Sequence, residues 1–137
     1  MKKSNNKKVV KKGKKLPKKY VLDGLGLGDT QRVFTLMIAD LVQFAYSNGY
    51  ELTYGDAYRD PRAFGSFSKN KPGVYGRHRS NHKRRLAVDF NLFKEGKYLT
   101  QTEDYLELGL YWESIGGSWG GRFKDGNHFS VLYKGVR

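Results

Sequence analysis

The sequence has no cysteine, three prolines and two methionines among 137 residues, and its apolar runs are short. The lack of cysteine excludes a disulfide framework, a thiolate metal site and a cysteine nucleophile. The lack of long apolar runs excludes a stretch of roughly 18 residues able to cross a bilayer as a helix. No apolar segment follows the basic N-terminus, so a Sec-type signal peptide is not expected. Acid is also scarce: 13 Asp and Glu stand against 26 Lys and Arg, a net charge of +13. At this length a single domain with a modest core is expected. The charge points to an anionic partner, with nucleic acid as the first candidate.

The charge is unevenly placed. Residues 1–19 hold ten lysines and no acid, while the remaining 118 hold 16 basic and 13 acidic groups. The only sizeable apolar residues of this arm are Val9, Val10 and Leu16, too few to offset the entropy of ordering it. A disordered Lys-rich arm over 1–19 and a globular domain over 20–137 are therefore expected. The arm acts either as a solubilising tail or as a binding element.

The glycine-rich segment Leu22–Gly28 lacks the Lys-Ser/Thr ending and preceding strand of a phosphate loop, and reads as an irregular lead-in. Asp29 or Thr30 can cap a helix in which Val33, Leu36, Met37, Leu41, Phe44 and Ala45 recur at helical spacing, with Asn48-Gly49 as its end. Tyr50–Tyr58 reads as extended and is closed by Asp60-Pro61. A long irregular loop covers 62–79, and eight Lys/Arg with no acid lie between Asp60 and Asp89. Arg85–Phe93 is the clearest strand, with Leu86, Val88, Phe90 and Leu92 on one face. Asp89 falls on the other face, free to line a site. After a turn at Lys94–Lys97 and a short return strand at Tyr98-Leu99, a capping box at Thr100–Glu103 opens a helix over 102–115. Trp119–Phe123 is a tight loop and Asn127–Tyr133 a last strand; Trp112 and Trp119 suit packing. This order of elements implies a small α+β domain.

Without thiols, metal or hydrolytic chemistry must use His, Asp and Glu. Of the three histidines, His82 and His128 lie in polar, turn-flanked contexts near Asp89 and Asp125. Two imidazoles and one carboxylate supply three ligands to Zn²⁺ and leave a fourth position for water. A further carboxylate can then accept that water's proton. Asp125, three residues before His128, can stand beside a ligand without binding. The plainer alternative is surface histidines beside surface acids. His78 can replace His82 only if the stretch between them is helical, and Gly73 and Gly76 argue against a helix.

Ser80-Asn-His82-Lys-Arg-Arg-Leu-Ala-Val-Asp89 resembles the SxHxxxxAxD segment of the peptidase M15 zinc metallopeptidases. That family holds VanY-type D-alanyl-D-alanine carboxypeptidases and phage endolysins that are L-alanyl-D-glutamate peptidases. Trp112…Trp119-Gly-Gly…Asp125-Gly-Asn-His128-Phe129 is similar to its second segment, and Gly55-Asp-Ala-Tyr-Arg59 to the stretch with an active-site arginine. The resemblance implies His82, Asp89 and His128 as zinc ligands and Asp125 as general base. It implies Arg59 as the cation that polarises the scissile carbonyl or holds substrate, with Ser80 as a lesser substrate-side group. The implied fold is a compact α+β domain with an antiparallel sheet and flanking helices (Hedgehog/DD-peptidase-like). Two departures stand out. Arg85 occupies a position where many members have glycine, implying another course for the loop, and Arg122 stands where an acid is frequent, implying an altered rim.

Each assignment has a structural alternative: Asp89 as a buried strand acid, Asp125-Gly126 as a turn, Arg59 as an ion pair beside Asp60, and Ser80 as a loop residue that orients His82. The function implied is zinc-dependent hydrolysis of an amide in the peptidoglycan stem peptide, as in a phage endolysin that contributes to host lysis. The basic stretch Arg77–Arg85 suits an acidic substrate. The chain is expected to act as a monomer, made in the host cytoplasm and released to the periplasm or wall, with the arm associating with the anionic envelope. Two rivals stay open: a nucleic-acid-binding basic protein, and a degenerate peptidase fold that binds cell wall.

Overall fold

A computed structural model describes residues 18–137. The expected disordered arm lies outside the described residues, apart from Lys18 and Lys19. Lys19 pairs with Asp40 at 2.9 Å, and the Tyr20 backbone N–H donates to the Ile115 carbonyl. Among the described residues no helix is long and apolar enough to cross a membrane.

Helix α1 spans Leu27–Ser47 and starts two to three residues before the expected cap. Gly26 is the extended residue at its start, and the Thr30 hydroxyl donates back to the Gly26 carbonyl inside the first turn (2.8 Å). Its buried stripe is Thr30, Phe34, Met37, Leu41 and Ala45. Leu36, expected inside, is 55% exposed, and Phe34 is buried in its place, its ring edge to face with Trp112 at 5.9 Å.

The sheet contains β1 (Tyr50–Tyr54), β2 (Ala87–Lys94), β3 (Lys97–Leu99), β4 (Ser118–Trp119) and β5 (His128–Ser130). All pairings are antiparallel, in the order β1-β2-β5-β4, with β3 on the outer half of β2. β1 ends at Tyr54, shorter than expected, yet Gly55 and Asp56 still exchange backbone hydrogen bonds with Asp89. The alternation expected for β2 is present: Val88, Phe90 and Leu92 are buried, whereas Asp89 and Asn91 are only partly covered on the opposite face. β5 faces β2 in register, Asp89 opposite His128 and Val88 opposite Phe129. One pleat thus sends Phe129 into the core and His128 to the other side.

The second helix, α2, is the short Pro61–Phe64 turn, begun by Asp60 accepting from the Arg62 N–H. The third, α3 (Leu106–Ile115), follows a 3₁₀ turn at Thr102–Tyr105. The box at its start sits one residue later than expected, with the Gln101 N–H donating to Asp104 at 2.9 Å. Helices α1 and α3 cover the apolar face of the sheet around Trp112 and Phe129, which meet edge to face at 6.0 Å.

Both tryptophans pack as expected and also tie loops down. Trp112 Nε1–H donates to the Ser130 carbonyl, and Trp119 Nε1–H to the Gly126 carbonyl, each at 2.7 Å. Gly109, within α3, makes room for Trp119: a Cβ there would lie 2.1 Å from the indole ring. Alanine at 109 gains about 1 kcal/mol of helix propensity, but overpacking costs typically about 1–3 kcal/mol. Gly109→Ala is therefore expected to lower the melting temperature. A variant melting higher than the parent would show that the indole shifts freely.

Candidate active site

The polar face of β2 and β5 carries the site. His82 arrives on a 3₁₀ turn, Asn81–Arg84, whose first N–H groups are capped by Ser80; its Oγ accepts from the His82 N–H at 3.2 Å. Arg85 ends that turn with φ 56°, in the left-handed region that glycine enters freely. An arginine there costs about 1 kcal/mol of backbone strain. The turn is one that glycine would also make. The Arg85 guanidinium lies over the Tyr58 ring at 3.9 Å.

His82 Nε2 lies 3.3 Å, and His128 Nδ1 3.2 Å, from the same oxygen, Asp89 Oδ1. Both rings are buried, and ligating atoms of the three residues lie within 4.8 Å of one another. The Ala57 carbonyl accepts from His82 Nδ1–H at 2.7 Å, which leaves Nε2 as the lone-pair nitrogen facing the cluster. His128 Nε2 is buried with no hydrogen-bond partner. Packing orients its ring instead, with Phe123 at 6.0 Å and the His82 ring at 5.1 Å. Burial pushes the Asp89 carboxyl up, but hydrogen bonds and charge from His128 and His82 outweigh it and hold the group at about 2. An ionised carboxylate and two convergent imidazole nitrogens form a donor set that suits one Zn²⁺-like ion.

Asp125 stands beside this group without joining it. Its Oδ2 is 3.9 Å from His128 Nδ1, and its side chain is half exposed to the cleft. Left-handed Lys124 (φ 62°) reverses the chain just before it. Gly120 leaves the space the loop needs, since a Cβ there would meet the Asp125 carbonyl at 2.2 Å.

Arg59 enters from the segment after β1 and is not paired with Asp60, which binds Arg62 instead. Its guanidinium donates to Ser80 Oγ (3.2 Å) and Asp56 Oδ2 (3.4 Å), while Nε is buried without a partner. Ser80 therefore touches both Arg59 and the His82 turn. His78, the possible substitute ligand, has an exposed ring outside the three-residue group.

Sequence reasoning missed the backing of the site. Asp56 holds Arg59 and accepts from the Tyr75 hydroxyl at 2.8 Å, and its carbonyl accepts the Asp89 N–H at 2.7 Å. Lys83 is buried and donates to the Ser66 carbonyl, Asn70 Oδ1 and the His78 carbonyl, fastening the long loop. Burial and then the charge of Arg59 lower its pKa. Extension of β1 beyond Tyr54 hinted at Asp56, but nothing local marked Lys83 as a buried tie. The basic stretch expected to act together divides accordingly. Arg77 and Arg79 line the cleft, Lys83 points into the loop, and Arg84 stacks on Phe67 at 3.5 Å. The cleft above the cluster has a volume of about 1070 Å³ and includes Arg59, Ser80 and Asp125 in its walls.

Residues 75–131 match the family model described as D-alanyl-D-alanine carboxypeptidase, Peptidase_M15_4. The site-bearing segment is thus similar to the peptidase M15 family. This segment runs from Tyr75 through the His82 turn, β2 and α3 to β5, and so contains all three residues of the cluster and Asp125. The fold is also similar to the crystal structure of the Serratia marcescens L-Ala D-Glu endopeptidase ChiX. The TM-score is 0.55 at 17% identity, over 78% of this chain and 86% of that one. That likeness is one of fold. No curated protein matches the chain. Arg122, at the position where the M15 pattern often has an acid, is held by Glu113 through two hydrogen bonds of 2.6 and 2.9 Å.

Proposed function

We propose that the protein is a zinc-dependent peptidase that hydrolyses an amide of the peptidoglycan stem peptide, with phage endolysin as its biological setting. The observation that carries the reading is the convergence of His82, Asp89 and His128 on one point at the floor of a cleft that also holds Asp125 and Arg59. The M15 match and the endopeptidase fold support peptidase chemistry. A complete ligand set favours an active enzyme over a degenerate, wall-binding fold.

In this reading His82, Asp89 and His128 hold the ion. When bound, zinc supplies a Lewis acid that makes water nucleophilic near neutral pH. Asp125, open to the cleft, takes the water proton and delivers it to the leaving nitrogen as the C–N bond breaks. Arg59 faces the negative charge that grows on the carbonyl oxygen, its guanidinium held in place by Asp56 and Ser80. Because Ser80 also caps the His82 turn, one hydroxyl aligns the cation with a ligand. The Lys-rich arm is proposed as an electrostatic tether to the anionic envelope, acting on the same substrate by proximity.

Chelation followed by mass spectrometry of digested peptidoglycan tests the reading. Removal of metal is expected to stop release of peptide fragments, and stoichiometric Zn²⁺ to restore it. The fragment masses identify the bond, L-Ala–D-Glu or D-Ala–D-Ala. Undiminished release from the metal-free protein, or no release from the zinc-loaded one, overturns it.

A further inference from the structure

The cleft is lined by Arg59, Arg77, Arg79, Lys124 and Arg137, of which Arg59 is held by Asp56. Among the described residues, neither Arg77 nor Lys124 pairs with a carboxylate, while the only acids lining the cleft are Asp89 and Asp125. Arg77 and Lys124 come from different segments of the chain. Arg77 is on the loop before the His82 turn, and its guanidinium lies 5.7 Å from the Phe123 ring, which in turn packs on His128. Lys124 immediately precedes Asp125 and lines both the cleft and a polar side pocket of about 190 Å³ with Asn91, Thr102 and Asn127. That volume suits one residue-sized group. Positive charge beside the reacting centre, in excess of the acids that line the cleft, is complementary to an anionic substrate.

We propose that Arg77 and Lys124 are specificity-determining residues that read a free α-carboxylate on the residue supplying the leaving amine. This rests on the peptidase reading above. In both candidate bonds that residue carries such a carboxylate: the α-carboxylate of γ-linked D-glutamate, or the terminal carboxylate of D-alanine. The cleft then selects the acid over the same peptide capped as a carboxamide, which has the shape but not the charge. Arg77 can engage it through two parallel N–H donors, and Lys124 as a point charge.

The test compares a synthetic stem peptide with that carboxylate free and as its carboxamide, on the zinc-loaded full chain. For the parent protein kcat/KM is expected to favour the acid about tenfold, as two partly exposed charge contacts can supply. In Arg77→Met, Lys124→Met and the double variant the ratio is expected to fall stepwise toward one, mainly through the acid's KM. Rising salt should compress the parent's ratio in the same way. Zinc content and melting temperature report whether each variant is folded. A parent ratio near one overturns the proposal while leaving the peptidase reading intact. So does a double variant that keeps the parent's ratio, or one that loses both peptides equally while folded and metal-loaded. Cleavage of neither peptide by the parent, with no release from peptidoglycan, removes the peptidase reading itself.

Discussion

His82→Ala is expected to lose the metal and, with it, peptide hydrolysis. The ring is buried, its Nδ1–H is fixed on the Ala57 carbonyl, and its Nε2 is one of only two imidazole nitrogens facing Asp89 Oδ1. Two remaining ligands do not hold Zn²⁺ against solvent at ordinary concentrations, because catalytic zinc sites use three protein ligands. The Lewis-acid contribution lost is several kcal/mol, and about 4 kcal/mol corresponds to about a thousandfold in rate. Metal analysis should show stoichiometry falling from near one to near zero, and turnover should fall by about 10³ or more. His78→Ala is the matched control, since its ring lies outside the cluster. A His82→Ala protein that keeps both zinc and turnover would place the centre elsewhere.

Asp125→Asn is expected to separate catalysis from metal binding. The carboxylate lies 3.9 Å from His128 Nδ1 and outside the ligand group, so zinc content should stay near that of the parent. The amide keeps the shape but cannot accept the water proton, and loss of a positioned base costs typically about 10²–10⁴-fold. The decrease should fall on kcat, with KM nearly unchanged. Loss of zinc from the folded variant would make Asp125 a ligand. Unaltered kcat would assign the base to another group. The paired outcomes at 82 and 125 distinguish the residue that holds the ion from the residue that moves the proton.

Several parts of this site were legible before the fold. The alternation in β2 freed Asp89 from the core, and the Asp-Gly-Asn-His turn set Asp125 near His128, because both are local consequences of a two-residue pleat and a tight turn. The N-terminal helix was legible in existence but not in phase. Both Phe34 and Leu36 fit a helical stripe, and only packing against α3 and the sheet decides between them. The role of Lys83 was not legible either. A lysine amid arginines looks like surface charge, yet the loop folds around its ammonium and supplies three oxygens. Arg59 likewise stands beside Asp60 in sequence but is paired with Asp56, because α2 draws Asp60 toward Arg62.

The sequence by itself determined the residue types available for chemistry: with no thiol, the site had to be built of imidazole and carboxylate, and one strand and two turns delivered two of each within short spans. It also showed that most of the excess charge belongs to the first 19 residues. Tertiary structure alone decided how those spans meet. Antiparallel pairing sets Asp89 opposite His128, and the His82 turn closes over them with Ala57 and Ser80 as its supports. It also decided which cations of a uniform-looking basic run face the cleft. Periodicity reports which face of an element a side chain takes. Distance between residues far apart in the chain depends on register and packing, which no local pattern encodes.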